Sequence, residues 1–161
     1  MSASRVYAIP IPSISIVSGG SPFLQVAAPA TVALEIVGFE FGQQSSEINQ
    51  QELISFTRRS TASTLPIPAT PLALNQGDSQ PSKMLATTTT CAVGMSSVIG
   101  TQLNSAPIYK TFNALSGIEW WPAADARITI DPSGFLTIQF PVTPSGSNGL
   151  WAGQLYVKEM N

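Results

Sequence analysis

The sequence predicts an all-β protein, an antiparallel β-sandwich or jelly-roll-like barrel with an extended N-terminal arm. Three observations lead there. Apolar residues recur in short alternating runs rich in Val, Ile, Thr and Phe, the period of a strand with one buried face. The 13 prolines and 12 glycines cut the chain into pieces of strand length, and no amphipathic helix of any length intervenes. Strands with no helix to pack on must pack on one another. With 161 residues, 43% of them hydrophobic, the chain suits one body that needs neither disulfide nor metal to hold it.

Residues 1–29 form the expected arm and residues 30–161 the sandwich body. In the arm, Pro10 and Pro12 alternate with Ile9, Ile11, Ile14 and Ile16. Each proline removes a ladder donor, so the segment reads as an arm or an edge strand. Its isoleucines are too many for a free tail and are expected to pack on the body or on a neighbouring molecule. The run at 31–41 is apolar on both strand faces, which suits a central layer or a subunit contact, and Gly38 permits a bulge or a close approach. At 52–59, Ile54 and Phe56 alternate with Ser55 and Thr57, the pattern of a half-exposed strand. A helix of two turns at most is open over 46–53, with Ser46 as its cap.

Residues 60–80 hold Pro66, Pro68, Pro71 and Gly77 among Thr, Ser and Ala, a composition that interrupts any ladder. A connection this long is usually functional. Strands are expected next at 87–93, 107–113, 118–121, 127–130, 135–140 and 150–159. Asp-Pro-Ser-Gly at 131–134 reads as a hairpin turn, and 144–149 as a longer loop. Cys91, the single cysteine, cannot form an internal disulfide and is expected as a buried thiol.

Most chemistry is excluded by composition. There is no histidine, which removes Ser-His-Asp and Cys-His catalysis and the common zinc sites. No phosphate-loop, dinucleotide or calcium-loop spacing occurs, and no cofactor is expected. The net charge is −2, with seven scattered Lys and Arg, so no basic footprint for nucleic acid exists. No apolar run reaches the roughly 20 residues of a membrane span. A carboxylate pair drawn from Glu119, Asp125 and Asp131 beside the tryptophans is the enzyme option left; a polar rim around an aromatic cluster is the plainer reading. In Trp120-Trp121, strand geometry sends one indole inward and the other outward, toward a subunit or partner. Arg58 and Arg59 end a strand, either solvated or held by a carboxylate such as Glu47 or Glu52.

Taken in order, these features resemble one family. The sequence runs Gly-Gln-Gln-Ser-Ser-Glu at 42–47, Leu-Ile-Ser-Phe-Thr-Arg-Arg-Ser-Thr-Ala-Ser at 53–63 and Pro-Ala-Thr-Pro-Leu at 68–72. A Thr-rich stretch, Trp120-Trp121-Pro122 and a closing Gly-Gln-Leu-Tyr-Val-Lys-Glu at 153–159 follow. This order resembles the capsid decoration, or cement, proteins of tailed bacteriophages. The resemblance implies a non-enzymatic homotrimer, made in the host cytoplasm, that binds the major capsid protein on the outside of the head. The expected contact residues are Ile9, Ile11, Ile14, Ile16, Arg58, Arg59, Trp120 and Trp121. The alternative is a head-fibre or receptor-binding module that takes host carbohydrate, with Trp120, Trp121 and Trp151 as stacking residues.

Overall fold

The structure, a computed structural model, describes residues 5–44, 49–75, 81–105, 107–144 and 149–160. Two six-stranded antiparallel sheets pack face to face. Sheet A contains β1 (Arg5–Ser15), β3 (Ala33–Gln43), β6 (Leu72–Ala73), β9 (Ile118–Trp120), β10 (Ile128–Ile130) and β12 (Leu150–Met160). Its order is β10-β3-β12-β1-β6, and β9 continues the β10 edge beside β3. Sheet B runs β5-β7-β2-β11-β4-β8, from β2 (Pro22–Ala27), β4 (Gln51–Arg59), β5 (Ile67–Pro68), β7 (Ala92–Val93), β8 (Ile108–Asn113) and β11 (Phe135–Gln139). The architecture is a β-sandwich; the barrel alternative falls because the sheets do not close on each other.

Residues 5–27 of the expected arm are woven into both sheets. β1 pairs with β12 from Arg5 to Ser15, and β2 lies between β7 and β11. Ile9, Ile11, Ile14 and Ile16 are 0–5% exposed in the core of their own chain, so of the two destinations open to them they take the body. Pro10 and Pro12 explain why β1 can be a long edge strand. The Val6 carbonyl accepts from Leu74 N and Ala8 faces Leu72 of β6, so even-numbered residues turn their backbone groups to the edge. Beyond Ala8, where no β6 residue pairs, prolines occupy two of those positions and remove the donors an incoming strand would use. The double change Pro10→Val, Pro12→Val should therefore yield concentration-dependent species larger than those of the native protein in sedimentation velocity.

A bulge resolves the two-sided apolar run in β3. Tyr156 faces Gly38, but Val157 faces Ile36, leaving Val37 as the extra residue. The offset puts Leu34 and Ile36 before it, and Phe39 and Phe41 after it, on the same inner face. Glu35, Gly38 and Glu40 turn outward. Inside, Phe23 stacks on Phe41 at 4.8 Å, and Phe41 stacks on Trp151 at 5.5 Å.

The half-exposed reading of β4 is corrected. Ser55 and Thr57 are 1% exposed because the connection between β4 and β8, whose β5 and β7 join the edge of sheet B and whose β6 joins sheet A, brings Ser63, Thr89 and Gly100 over the outer face of sheet B. Polar groups hold it there. Gln25 donates to the carbonyls of Ser63 (3.1 Å) and Thr89 (2.8 Å) and accepts from Ser63 N (2.6 Å). Beside the end of β4 the connection runs in the plane of the sheet, where Gln102 bridges Arg59, Leu103 N donates to the Arg58 carbonyl at 3.0 Å and Ser60 N to that of Thr101 at 2.9 Å. On the other side Glu159 accepts from Ser82 Oγ and Lys83 N, each at 2.7 Å.

Three further expectations change. The strand expected at 87–93 is cut to Ala92–Val93, because the threonine hydroxyls bond locally: Thr90 Oγ1 contacts Thr87 Oγ1 at 2.7 Å and accepts from Thr87 N at 3.1 Å. The 131–134 segment is not a hairpin turn, since β10 belongs to sheet A and β11 to sheet B. Ser133 adopts φ 62°, and Gly134 O accepts from Ala28 N at 2.9 Å. The turn is thus tied to the β2–β3 link as the chain crosses between sheets. Over the helix option at 46–53, residues 51–53 are strand, and 45–48 lie outside the described residues. Cys91 is the expected buried thiol, its pKa pushed up to about 12 by desolvation.

Candidate functional site

The outer face of sheet A carries the most distinctive exposed chemistry, arranged in rows by strand register. Leu72, Ala8, Tyr156 and Gly38 form one row across β6, β1, β12 and β3. Pro10, Gln154, Glu40 and Glu119 form the next, across β1, β12, β3 and β9. Val6, Lys158, Glu35 and Thr129 form the row on the other side.

Trp121 lies over Gly38. A methyl group built on Gly38 would stand 2.3 Å from Cζ3 of the indole, so only glycine lets the ring settle against the sheet. Tyr156 flanks it with ring centroids 4.7 Å apart, and the Tyr156 hydroxyl donates to Glu40 Oε2 at 3.0 Å. That bond, with desolvation as the larger cause, raises the Tyr156 pKa. Although braced on these sides, Trp121 remains 53% exposed. Gly38→Ala should lift the indole off the sheet at a cost of about 1–3 kcal/mol. A red-shifted tryptophan emission together with a lower melting temperature is the expected readout.

One row along from the indole, a cleft of about 340 Å³ opens between β3, the start of β12 and the turn from β8 to β9. Glu40 and Glu119 stand directly opposite each other in its wall, and Gln43, Ser116 and Gly117 also line it. Gly117 makes the tight turn possible with φ 71°; a Cβ there would meet the Phe41 carbonyl at 2.8 Å. Neither amide atom of Gln43 has a hydrogen-bond partner, and both are shielded from solvent. One row beyond Tyr156, Glu35 is bound by Arg127 at 3.0 Å and Lys158 at 3.7 Å.

The other residues singled out from the sequence go elsewhere. Trp120 turns inward onto Phe56 at 5.0 Å, with Lys110 Nζ 5.0 Å above its ring, as the alternation within Trp120-Trp121 requires. Trp151 is fully buried and cannot stack on a ligand, which corrects its place in the carbohydrate reading. Glu119, Asp125 and Asp131 are all exposed. Glu119 sits beside Glu40, whereas Asp131 follows β10 near Leu34, about 20 Å along β3 at 3.3 Å per residue. Glu119 and Asp131 are therefore not a pair; Glu119 faces Glu40 across the sheet, and Glu40 was not singled out because β3 reads as core.

Arg59 is 4% exposed and lies on the face of sheet B covered by the connection. Its Nε donates to Thr137 Oγ1 (2.8 Å), Nη1 to the Gly100 carbonyl (2.5 Å) and Nη2 to Gln139 Oε1 (2.8 Å). All three acceptors are neutral, which corrects the carboxylate expected for it. Glu52, seven residues upstream on the same strand, points to the opposite face, and Glu47 lies outside the described residues. Burial lowers the Arg59 pKa. Arg58 spans the sandwich to the Thr129 carbonyl at 3.1 Å. Among the described residues, no three metal-ligating side chains come together and no helix is long and apolar enough to cross a membrane. No protein-family model, curated protein or solved structure matches this chain.

Proposed function

We propose that this protein is a structural component of a tailed-phage virion, a decoration protein that binds the major capsid protein on the outer surface of the head as a homotrimer and performs no reaction. The observation that carries the reading is the outer surface of residues 85–103 in the connection. Its inner side is fastened to sheet B by polar groups, while Leu85, Val98, Ile99 and Leu103 project outward, each 42–67% exposed. Val98 and Ile99 are adjacent, and Leu103 follows on the same stretch, which bridges through Gln102 to Arg59 of β4 and through Val98 to Thr64 at the start of the connection. Exposed aliphatic side chains on a layer held by buried hydrogen bonds make a firm adhesive surface. Repetition supplies the remaining strength, because three modest contacts in a trimer add through effective concentration. A ligand that binds only the expanded shell stabilises that state by mass action.

The test is co-sedimentation with expanded heads of the phage that encodes the protein, after removal of their native decoration layer. The native protein should saturate the heads and run as a trimer when free. The triple change Val98→Ser, Ile99→Ser, Leu103→Ser alters only exposed side chains and should weaken binding at least tenfold with little change in melting temperature. Heads left bare by the native protein, or a variant that binds as well as the native form, would refute the reading.

A further inference from the structure

We infer that the outer face of sheet A, from Trp121 to the Glu40–Glu119 cleft, is a binding site for a neutral oligosaccharide. This site is separate from the adhesive surface. Val98 and Ile99 adjoin Gly100, which Arg59 holds on the outer face of sheet B, so the two surfaces occupy opposite sides of the sandwich, and a molecule seated by one would present the other outward.

Three features converge on this ligand class. Sugar pyranose rings offer flat faces of C–H groups that are weakly positive and sit well against the negative face of an aromatic ring. Trp121 is an indole already immobilised by Gly38 and Tyr156, so stacking on it orders no side chain that was free before. The adjacent row then supplies acceptors for hydroxyl hydrogens: Glu40 and Glu119 face each other, with Gln154 beside them. Hydrogen bonds to carboxylates are the stronger kind. One row is two residues, about 7 Å along the strand, a short step from a stacked ring to the hydroxyls of its neighbour.

Charge is the third feature. Two carboxylates and no Lys or Arg line the cleft, and the nearby Lys158 and Arg127 are already engaged by Glu35. Sialic and uronic acids would meet uncompensated like charge, so the site selects neutral sugars.

The test uses the full chain on a printed array of neutral and acidic glycans, followed by calorimetric titration with the strongest neutral binder and with an acidic analogue of the same length. Neutral glycans should bind and acidic ones should not. Trp121→Ala should weaken the titrated glycan at least tenfold. Glu119→Gln, an exposed change that leaves the fold intact, should weaken it too and narrow the gap to the acidic analogue. An array without neutral binders, acidic glycans bound as well as neutral ones, or undiminished affinity in Trp121→Ala would overturn the inference. Both variants should still bind heads like the native protein, which keeps this result independent of capsid attachment.

Discussion

Arg59→Ala is expected to lower stability by about 3–5 kcal/mol, with a large fall in the chemical denaturation midpoint. The side chain holds three elements together: β4 by its own backbone, β11 through Thr137 and Gln139, and the connection through the Gly100 carbonyl. Alanine leaves three acceptors short of a partner in a space closed to water and opens a cavity the size of the guanidinium. Arg59→Lys should recover only part of the loss, because one ammonium cannot reproduce three donors spread over a rigid plane. The loss should not be confined to global unfolding. With the Gly100 anchor gone, amides of the 98–103 stretch should exchange with solvent faster than those of β11, and hydrogen exchange can resolve the two. Equal protection in variant and native protein across 98–103 would show that the connection is held without Arg59.

This residue also shows where a one-dimensional pattern fails. Alternation in β4 correctly separates Ile54 and Phe56 from Ser55 and Thr57. What it cannot reveal is that the polar face is covered as well. The cover comes from a proline-rich connection with little strand content, which Gln25 and Arg59 of sheet B hold by hydrogen bonds to Ser63, Thr89 and Gly100. Alternation tells a strand which faces differ, whereas the cover on each face is decided by contacts between residues far apart in sequence. The same gap explains the 131–134 turn. Asp-Pro-Ser-Gly reports a reversal, and the local residues are silent on whether the next strand joins the same sheet or the opposite one.

Strands with strong periodicity were legible nearly to their ends: 150–159 is found as Leu150–Met160 and 107–113 as Ile108–Asn113. The four threonines at 87–90 were not, because β-branched residues favour strands until their hydroxyls find closer partners in a turn. Part of the candidate site was also readable. The Trp120-Trp121 pair implies one outward indole, and Gly38 was marked for a bulge or a close approach; it takes part in both. Glu40 escaped notice because β3 looks apolar on two faces until the extra residue at Val37 rotates its second half.

Trp151→Ala should be the most damaging single change in the core, at about 3–5 kcal/mol. The indole lies flat on Phe41 at 5.5 Å, leans on Phe140 at 5.1 Å and meets Phe112 edge-on at 6.2 Å. Phe41 and Phe112 come from different sheets, so removing the indole opens a hole where the two halves are joined by aromatic contact. Trp151→Phe provides the informative comparison. It loses one ring of contact, but it also removes an indole N–H that is buried without an acceptor, a group whose isolation costs about 1–3 kcal/mol. These effects oppose each other, so the phenylalanine variant should fall within about 1.5 kcal/mol of the native protein while the alanine variant falls well below it. Equilibrium denaturation of the three proteins decides the matter. If phenylalanine proved as harmful as alanine, the indole N–H would have to be satisfied in the native state, and Trp151 would owe its place to that bond as much as to its packing.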